Sequence, residues 1–245
     1  MNFDFAGLTL RNYQETMLSV EEIKKNAGIY TVDFVQQEMV IGLGTGTTVY
    51  WLIQELGNRV KRGLKVTAVS TSEQTEELAQ EAGIATTDLN SVNKLTLTID
   101  GADEIDPKGN LIKGGGGALL KEKMIAAASD ELIIIADSSK LVGKLGGFPL
   151  PVEVVQFGYK QVIQHIMQMG FCKEVTLRKR DSKVYVTDMG HYILNCEFEK
   201  IDDAAALNNK LHLIPGVVET GLFVNMACKS VIGFEDGRIE VIRYR

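Results

Sequence analysis

The sequence predicts an α/β fold: a mostly parallel, doubly wound sheet with a smaller, inserted ferredoxin-like α+β domain. Short apolar runs alternate with amphipathic helical stretches over the first 140 or so residues, the signature of βαβ units. Three glycine-rich or acidic loops stand out, each just after a predicted strand. Around Pro149 and Pro151 the rhythm changes to strand, helix, several strands, helix, strand, the split βαβ order. The expected division is an N-terminal arm or leader over 1–18, a main domain over 19–150 plus 225–245, and a ferredoxin-like domain over 151–224.

Ser19-Val20-Glu21-Glu22 is a capping box, and Ile23, Ala27, Tyr30 and Phe34 continue it as one apolar stripe. Met39–Leu43 fits a strand buried on both faces, followed by a helix over 47–56 with Gly57 as its stop. A strand over 64–69, a helix from the Ser72 cap to Ala82, a strand over 95–99, a helix over 118–129 and a strand over 131–136 repeat the unit. The later pattern is a strand over 152–155, a helix over 159–169, three short strands through Cys196, a helix over 202–211 and a strand over 217–224. The tail, 230–245, holds two strand-like pieces that can return to the main domain.

Composition excludes several classes of function. The chain has 245 residues, 45% of them apolar, and a net charge of −6. That is enough to bury a core, and it lacks the basic balance of a phosphate-backbone binder. No apolar run approaches the roughly 18 residues that span a bilayer, and the first residues lack the apolar core of a signal peptide. Neither nucleic acid nor membrane is expected as a partner. Cys172, Cys196 and Cys228 are odd in number and far apart, which reads as buried small hydrophobes in a reducing, cytoplasmic setting.

Three loops at strand ends carry the chemistry, where open α/β sheets bind ligands. Gly42-Leu43-Gly44-Thr45-Gly46-Thr47-Thr48 runs straight into a helix, so its N–H groups and the helix dipole suit a phosphate or small anion. No Lys follows its last Gly, which excludes a Walker A loop; a tight structural turn is the alternative. Asp100-Gly101-Ala102-Asp103-Glu104-Ile105-Asp106 puts four carboxylates in seven residues. They repel unless a cation, a proton or sugar hydroxyls join them, and a solvated acidic turn is the plain alternative. Lys113-Gly114-Gly115-Gly116-Gly117 then costs more chain entropy than a turn requires, which points to backbone in close contact with a ligand. On the next helix Glu122 shares an apolar face with Ala118, Ile125 and Ala126. It is either a wasted charge or a base in a partly dry pocket. His165, His191 and His212 all fall in the second domain, outside these loops.

GLGTGTT at 42–48, DGADEID at 100–106, KGGGGALLKEK at 113–123, IADSSK at 135–140, FPLPVEV at 148–154 and IPGVVETGLF at 214–223 together resemble type A ribose-5-phosphate isomerase. The resemblance implies reversible conversion of ribose 5-phosphate to ribulose 5-phosphate through a cis-enediolate, in the non-oxidative pentose phosphate pathway. It implies no metal and no organic cofactor, and a homodimer or homotetramer. Thr45, Gly46, Thr47 and Thr48 match the family's substrate loop, Thr47 standing for the commoner Ser. Asp100, Gly101, Ala102 and Asp103 match its acidic segment, and Lys113, Gly114, Gly115 and Gly116 its glycine segment. Lys140 matches a further substrate-contacting lysine. Glu122 falls on the general base, with Asp100, Asp103 and Lys113 as the other catalytic residues. The competing readings are a non-catalytic sugar-phosphate sensor, which should carry a basic helix-turn-helix, an amino-sugar-phosphate deaminase, which should place a His by the acidic loop, and a CoA transferase, which would form a glutamyl thioester.

Overall fold

The computed structural model describes residues 17–245, so the expected N-terminal arm lies, up to residue 16, outside the described residues. Helix α1 (Val20–Thr31) opens on the capping box: the Ser19 hydroxyl accepts from the Glu22 N–H at 3.3 Å, and the Glu22 carboxylate accepts from the Ser19 N–H at 2.9 Å. Then follow β1 (Val40–Leu43), α2 (Thr47–Lys61), β2 (Thr67–Ser70), α3 (Glu73–Glu81), β3 (Ala85–Thr86) and β4 (Leu95–Asp100). The middle of the chain holds β5 (Glu104–Ile105), β6 (Leu111–Ile112), α4 (Leu119–Ala127) and β7 (Ser129–Asp137). Beyond it come β8 (Leu150–Val154), α5 (Tyr159–Gln168), β9 (Glu174–Leu177), β10 (Lys179–Arg180), β11 (Lys183–Val184) and β12 (Tyr192–Glu197). The chain closes with α6 (Ala204–His212), β13 (Val217–Thr220), β14 (Leu222–Phe223), β15 (Lys229–Gly233) and β16 (Ile239–Arg243).

The main sheet has the order β16-β15-β7-β4-β1-β2-β3, parallel except for the antiparallel edge pair β15/β16. From β1 the chain steps outward through β2 to β3, then returns to lay β4 on the other side of β1. That reversal is the topological switch point, where a crevice opens at the carboxyl ends of the strands. On one sheet face Ile41, Leu43, Leu97, Ile99, Ile133 and Ile135 meet Val49, Leu52, Ile53 and Leu56 of α2. On the other, Leu132, Ile134 and Ala136 pack with Ala126 of α4 and Phe223. Each such aliphatic side chain contributes about 1.5–3 kcal/mol through burial. Gly42 lets α4 lie close to the sheet, because a Cβ there would collide with the side chains of Thr98 and Ile125.

A second sheet, β13-β8-β12-β9, is antiparallel throughout and carries α5 and α6. In the unit's own chain order this is 4-1-3-2, the arrangement the split βαβ pattern predicts. Val152, Val154, Leu194 and Cys196 of its strands pack with Val162, Ile166, Leu207 and Leu211 of its helices. All three cysteines are buried and unpaired.

Three local expectations differ from the structure. The strand expected over 217–224 is two strands, because at Gly221 the chain leaves the second sheet and β14 pairs with β6 in a small β14-β6-β5 sheet. Four short strands, β9 to β12, lie between α5 and α6 where three are expected. Gly57 is not a helix stop. Helix α2 runs on to Lys61 and closes at Gly63 (φ 106°), where the Gly63 N–H donates to Val60 O at 2.9 Å and the Leu64 N–H to Arg59 O at 3.0 Å. This is a Schellman closure, and it takes Leu64 out of the expected strand. Gly57 instead lets the end of α3 approach, since a Cβ there would lie 2.7 Å from Ala82 Cβ and 2.8 Å from Ala82 O.

An exposed mid-helix Gly→Ala change stabilises by about 1 kcal/mol. Gly57→Ala is expected to do the reverse, lowering stability by about 1–3 kcal/mol through overpacking, read as a lower urea midpoint with an unchanged slope.

Candidate active site

The site forms where β1, β4 and β7 end side by side. Gly44 follows β1, and a Cβ there would collide with the Asp100 carboxylate at the end of β4. The Thr45 N–H donates to Asp100 Oδ1 at 3.2 Å, while the Thr45 hydroxyl turns into a cluster of Thr71, Ser72 and Thr75 hydroxyls at 2.8, 2.8 and 3.1 Å. Thr45 therefore offers a ligand its backbone rather than its hydroxyl. Gly46, the residue before α2, has φ 128° and supplies no side-chain cap. The first-turn N–H groups of α2 are left facing a cavity of about 190 Å³ that Gly46, Thr47 and Thr48 line. An uncapped helix start with its dipole is an anion site. Lys140, on the turn after β7, and Lys24 of α1 line the same cavity.

At the other end lies a buried charge cluster. Lys113 leaves β6 with its N–H donating to Gly221 O at 2.9 Å, which turns its side chain inward beneath the glycine loop. Its ammonium lies 3.0 Å from Asp100 Oδ2 and 3.4 Å from Glu122 Oε2, and donates to Gly101 O at 2.6 Å. Asp100, Lys113 and Glu122 are 1%, 2% and 5% exposed. Asp100 also accepts from the Gly101 N–H at 2.7 Å. Glu122 Oε2 and Asp100 Oδ2 are buried without a hydrogen-bond partner and face the ammonium between them.

The two carboxylates are not equivalent. Burial, then the charge of Asp100, pushes Glu122 up to about 8, with Lys113 acting against both. Burial also raises Asp100, opposed by the Lys113 charge and two N–H donors. Burial pulls Lys113 down, but the charges of Asp100 and Glu122 outweigh it, so the ammonium persists. The arrangement places a weakly acidic carboxyl group beside a permanent cation, the electrostatics of a proton-transfer site.

The model of the family Ribose 5-phosphate isomerase A (phosphoriboisomerase A) matches residues 67–237. The chain belongs to that family. Ribose-5-phosphate isomerase A of Bacillus cereus is 55% identical over 216 residues, covering 88% of this chain and 97% of the relative. The protein of the same name from Protochlamydia amoebophila is 44% identical over 220 residues, covering 89% and 94%. Among solved structures, ribose 5-phosphate isomerase from Plasmodium falciparum superposes with a TM-score of 0.88 at 38% identity, covering 91% of this chain and 98% of that one. A D-ribose-5-phosphate isomerase in complex with phospho-erythronic acid superposes at 0.89 with 36% identity, covering 92% and 100%.

Most residues expected from the family motifs lie on one cavity wall: Thr45 to Thr48, Gly101, Ala102, Asp103, Lys113 to Gly116, Glu122 and Lys140. Asp100 lies behind Lys113, off the cavity wall. Asp103 faces the cavity and accepts from the Gly115 N–H at 2.8 Å. The other two carboxylates of the acidic loop are structural. Glu104 caps the Gly146 and Phe148 N–H groups at 2.7 Å each, and Asp106 closes its own turn onto Lys108 and Asn110. Sequence reasoning missed Lys24, because on α1 it reads only as the polar neighbour of buried Ile23. Among the described residues no group of His, Cys, Asp and Glu could hold a metal ion, and no helix is long and apolar enough to cross a membrane.

A carboxyl group whose pKa is raised on folding stabilises the fold fully below its unfolded value, and that contribution is lost as pH rises through the folded value. For Glu122 the window runs from about 4.5 to about 8. Glu122→Gln is therefore expected to gain stability over the parent between pH 5 and pH 9, by on the order of 4 kcal/mol, in urea unfolding measured at both pH values.

Proposed function

We propose that this protein interconverts D-ribose 5-phosphate and D-ribulose 5-phosphate, with Glu122 as the general base. The observation that carries the reading is Glu122 itself: a buried carboxyl held near pKa 8, one oxygen unpartnered, 3.4 Å from an ammonium, in a cavity that also holds an uncapped helix start. The solved relative with phospho-erythronic acid supports it, since that ligand carries both a phosphate and a sugar-acid carboxyl group. In this reading the phosphate sits on the α2 N-terminus between Lys24 and Lys140, which directs the sugar's C1–C2 end to Lys113 and Glu122.

The reaction moves protons and no net electrons. Glu122 takes the C2 proton of the open-chain aldose, and the bonding pair forms the C1–C2 double bond as O1 becomes negative. The Lys113 ammonium and the glycine-loop N–H groups stabilise this enediolate. Glu122 then returns its proton to C1, while the O2 hydroxyl proton passes to O1 and O2 becomes the ketone. Asp100, enclosed behind Lys113, keeps the ammonium charged and in place. Asp103, on the cavity wall with one oxygen free of the glycine loop, is the carboxylate that would exchange a proton with the ring oxygen during opening. No step uses a metal or an organic cofactor.

Ketose formation from ribose 5-phosphate, followed in EDTA without added metal, tests this reading. Glu122→Gln should cut turnover about 10²–10⁴-fold with KM within several-fold. Lys24→Met should instead raise KM by roughly tenfold or more, from a lost charged hydrogen bond, with turnover nearly kept. Near-normal turnover in the Glu122 variant, or inactivation by EDTA that metal reverses, would overturn the assignment.

A further inference from the structure

The glycine loop that faces the cavity is held from outside by a residue of the second sheet. Arg178, just after β9, has a guanidinium that donates to Gly114 O at 2.7 Å and to Gly115 O at 3.2 Å through Nη1. Its Nε and Nη2 both donate to Asn195 Oδ1, at 3.1 and 2.6 Å, which fixes the plane of the fork. One residue further along the loop, Gly116 O faces Tyr185 Oη at 3.4 Å and Arg180 Nη2 at 3.5 Å. Three successive peptide carbonyls thus point toward donors on one side.

A peptide unit is planar and trans, so its N–H points opposite to its carbonyl. Drawing the Gly114 carbonyl outward to Arg178 turns the Gly115 N–H inward, where it donates to Asp103 Oδ2 at 2.8 Å. Drawing the Gly115 carbonyl outward turns the Gly116 N–H toward the cavity, which Gly116 lines. Four consecutive glycines have no side chains to set these planes, and glycine loses more conformational freedom on ordering than any other residue. Arg178 supplies the missing constraint. Its charge also polarises both peptides, which strengthens their N–H groups as donors.

We propose that Arg178 is a positioning residue of the isomerase: by holding the Gly114 and Gly115 carbonyls it aims the Gly115 and Gly116 N–H groups, one at Asp103 and one at the developing enediolate oxygen. The proposal rests on the isomerase reading above and adds to it a residue from outside the cavity wall. Arg178 touches neither substrate nor reacting atoms, so its loss should reach the transition state more than the bound sugar.

The full-length Arg178→Met variant should lose about 10²-fold in kcat, the cost of misplacing a catalytic group. KM and competitive inhibition by inorganic phosphate should stay within about threefold. Arg178→Lys, which reaches one carbonyl but not the fork geometry, should recover part of the loss, and methylguanidinium should partly restore Arg178→Ala. Independently of turnover, amide hydrogen exchange over 113–117 should be about tenfold faster in Arg178→Met, reporting a loosened loop. An unchanged kcat overturns the proposal. So does a fall in kcat matched by equal changes in KM and phosphate inhibition without guanidinium rescue, and so does unchanged exchange of the loop. A parent protein that fails to isomerise ribose 5-phosphate counts against the function reading, and the exchange experiment still decides whether Arg178 sets the loop.

Discussion

The site depends on one ammonium shared by two buried carboxylates. At 3.0 Å the Lys113–Asp100 attraction is about 5 kcal/mol for an effective dielectric near 20, enough to keep the lysine charged against its burial. A single positive charge cannot fully compensate two negative ones. Asp100 has the closer contact to Lys113 and two N–H donors besides. Glu122 has neither, and burial together with the neighbouring Asp100 charge pushes it up to about 8. Burial is the largest influence on both carboxylates, and at Asp100 the Lys113 charge and the N–H donors oppose it.

The fold sets these contacts. Reversal of strand order between β1 and β4 places the β1 loop beside the end of β4, and Gly44 makes the approach close enough for the Thr45 N–H to reach Asp100. Glu122 arrives from α4, which Gly42 allows to lie against the sheet. The second sheet braces both partners. Lys123, next to Glu122, donates to Glu219 Oε1 and Thr220 O at 2.7 Å each on β13, while Arg178 holds the glycine loop. Helix and loop are thereby tied to one rigid antiparallel sheet, which suits groups that must be held to within fractions of an ångström.

The sequence made legible whatever depends on neighbours along the chain. The strand–helix alternation, the Ser19 and Ser72 caps and the glycine loops follow from local pattern, and Glu122 stood out because a carboxylate on an apolar helix face requires a reason. The acidic loop was ambiguous for a physical cause: four carboxylates within seven residues look alike in sequence, yet Glu104 and Asp106 cap distant or local N–H groups and only Asp100 and Asp103 serve the cluster. Lys24 and Arg178 carried no local signal. Arg178 and its partner Gly114 are 64 residues apart, Lys24 meets the cavity only through the fold, and a lysine or arginine amid ordinary polar residues reads as solvated. Gly57 misled for a related reason, since a glycine in a helix can mark an end or a close contact, and only the position of Ala82 separates the two.

With Glu122 as the proposed base and the α2 end of the cavity as the proposed phosphate site, the arrangement also answers a difficulty that any base in this setting meets. A phosphorylated sugar brings negative charge into a cavity whose base already titrates high because of a neighbouring carboxylate. Left unbalanced, that charge would drive Glu122 further up and hold it protonated when it is needed as an acceptor. The cavity carries its compensation at the phosphate end, in Lys24, Lys140 and the uncapped start of α2. Anchoring and catalysis are thus one electrostatic problem. In the proposed reading the positive groups that take the phosphate also shield Glu122 from it, which opposes a further rise of its pKa when the sugar binds.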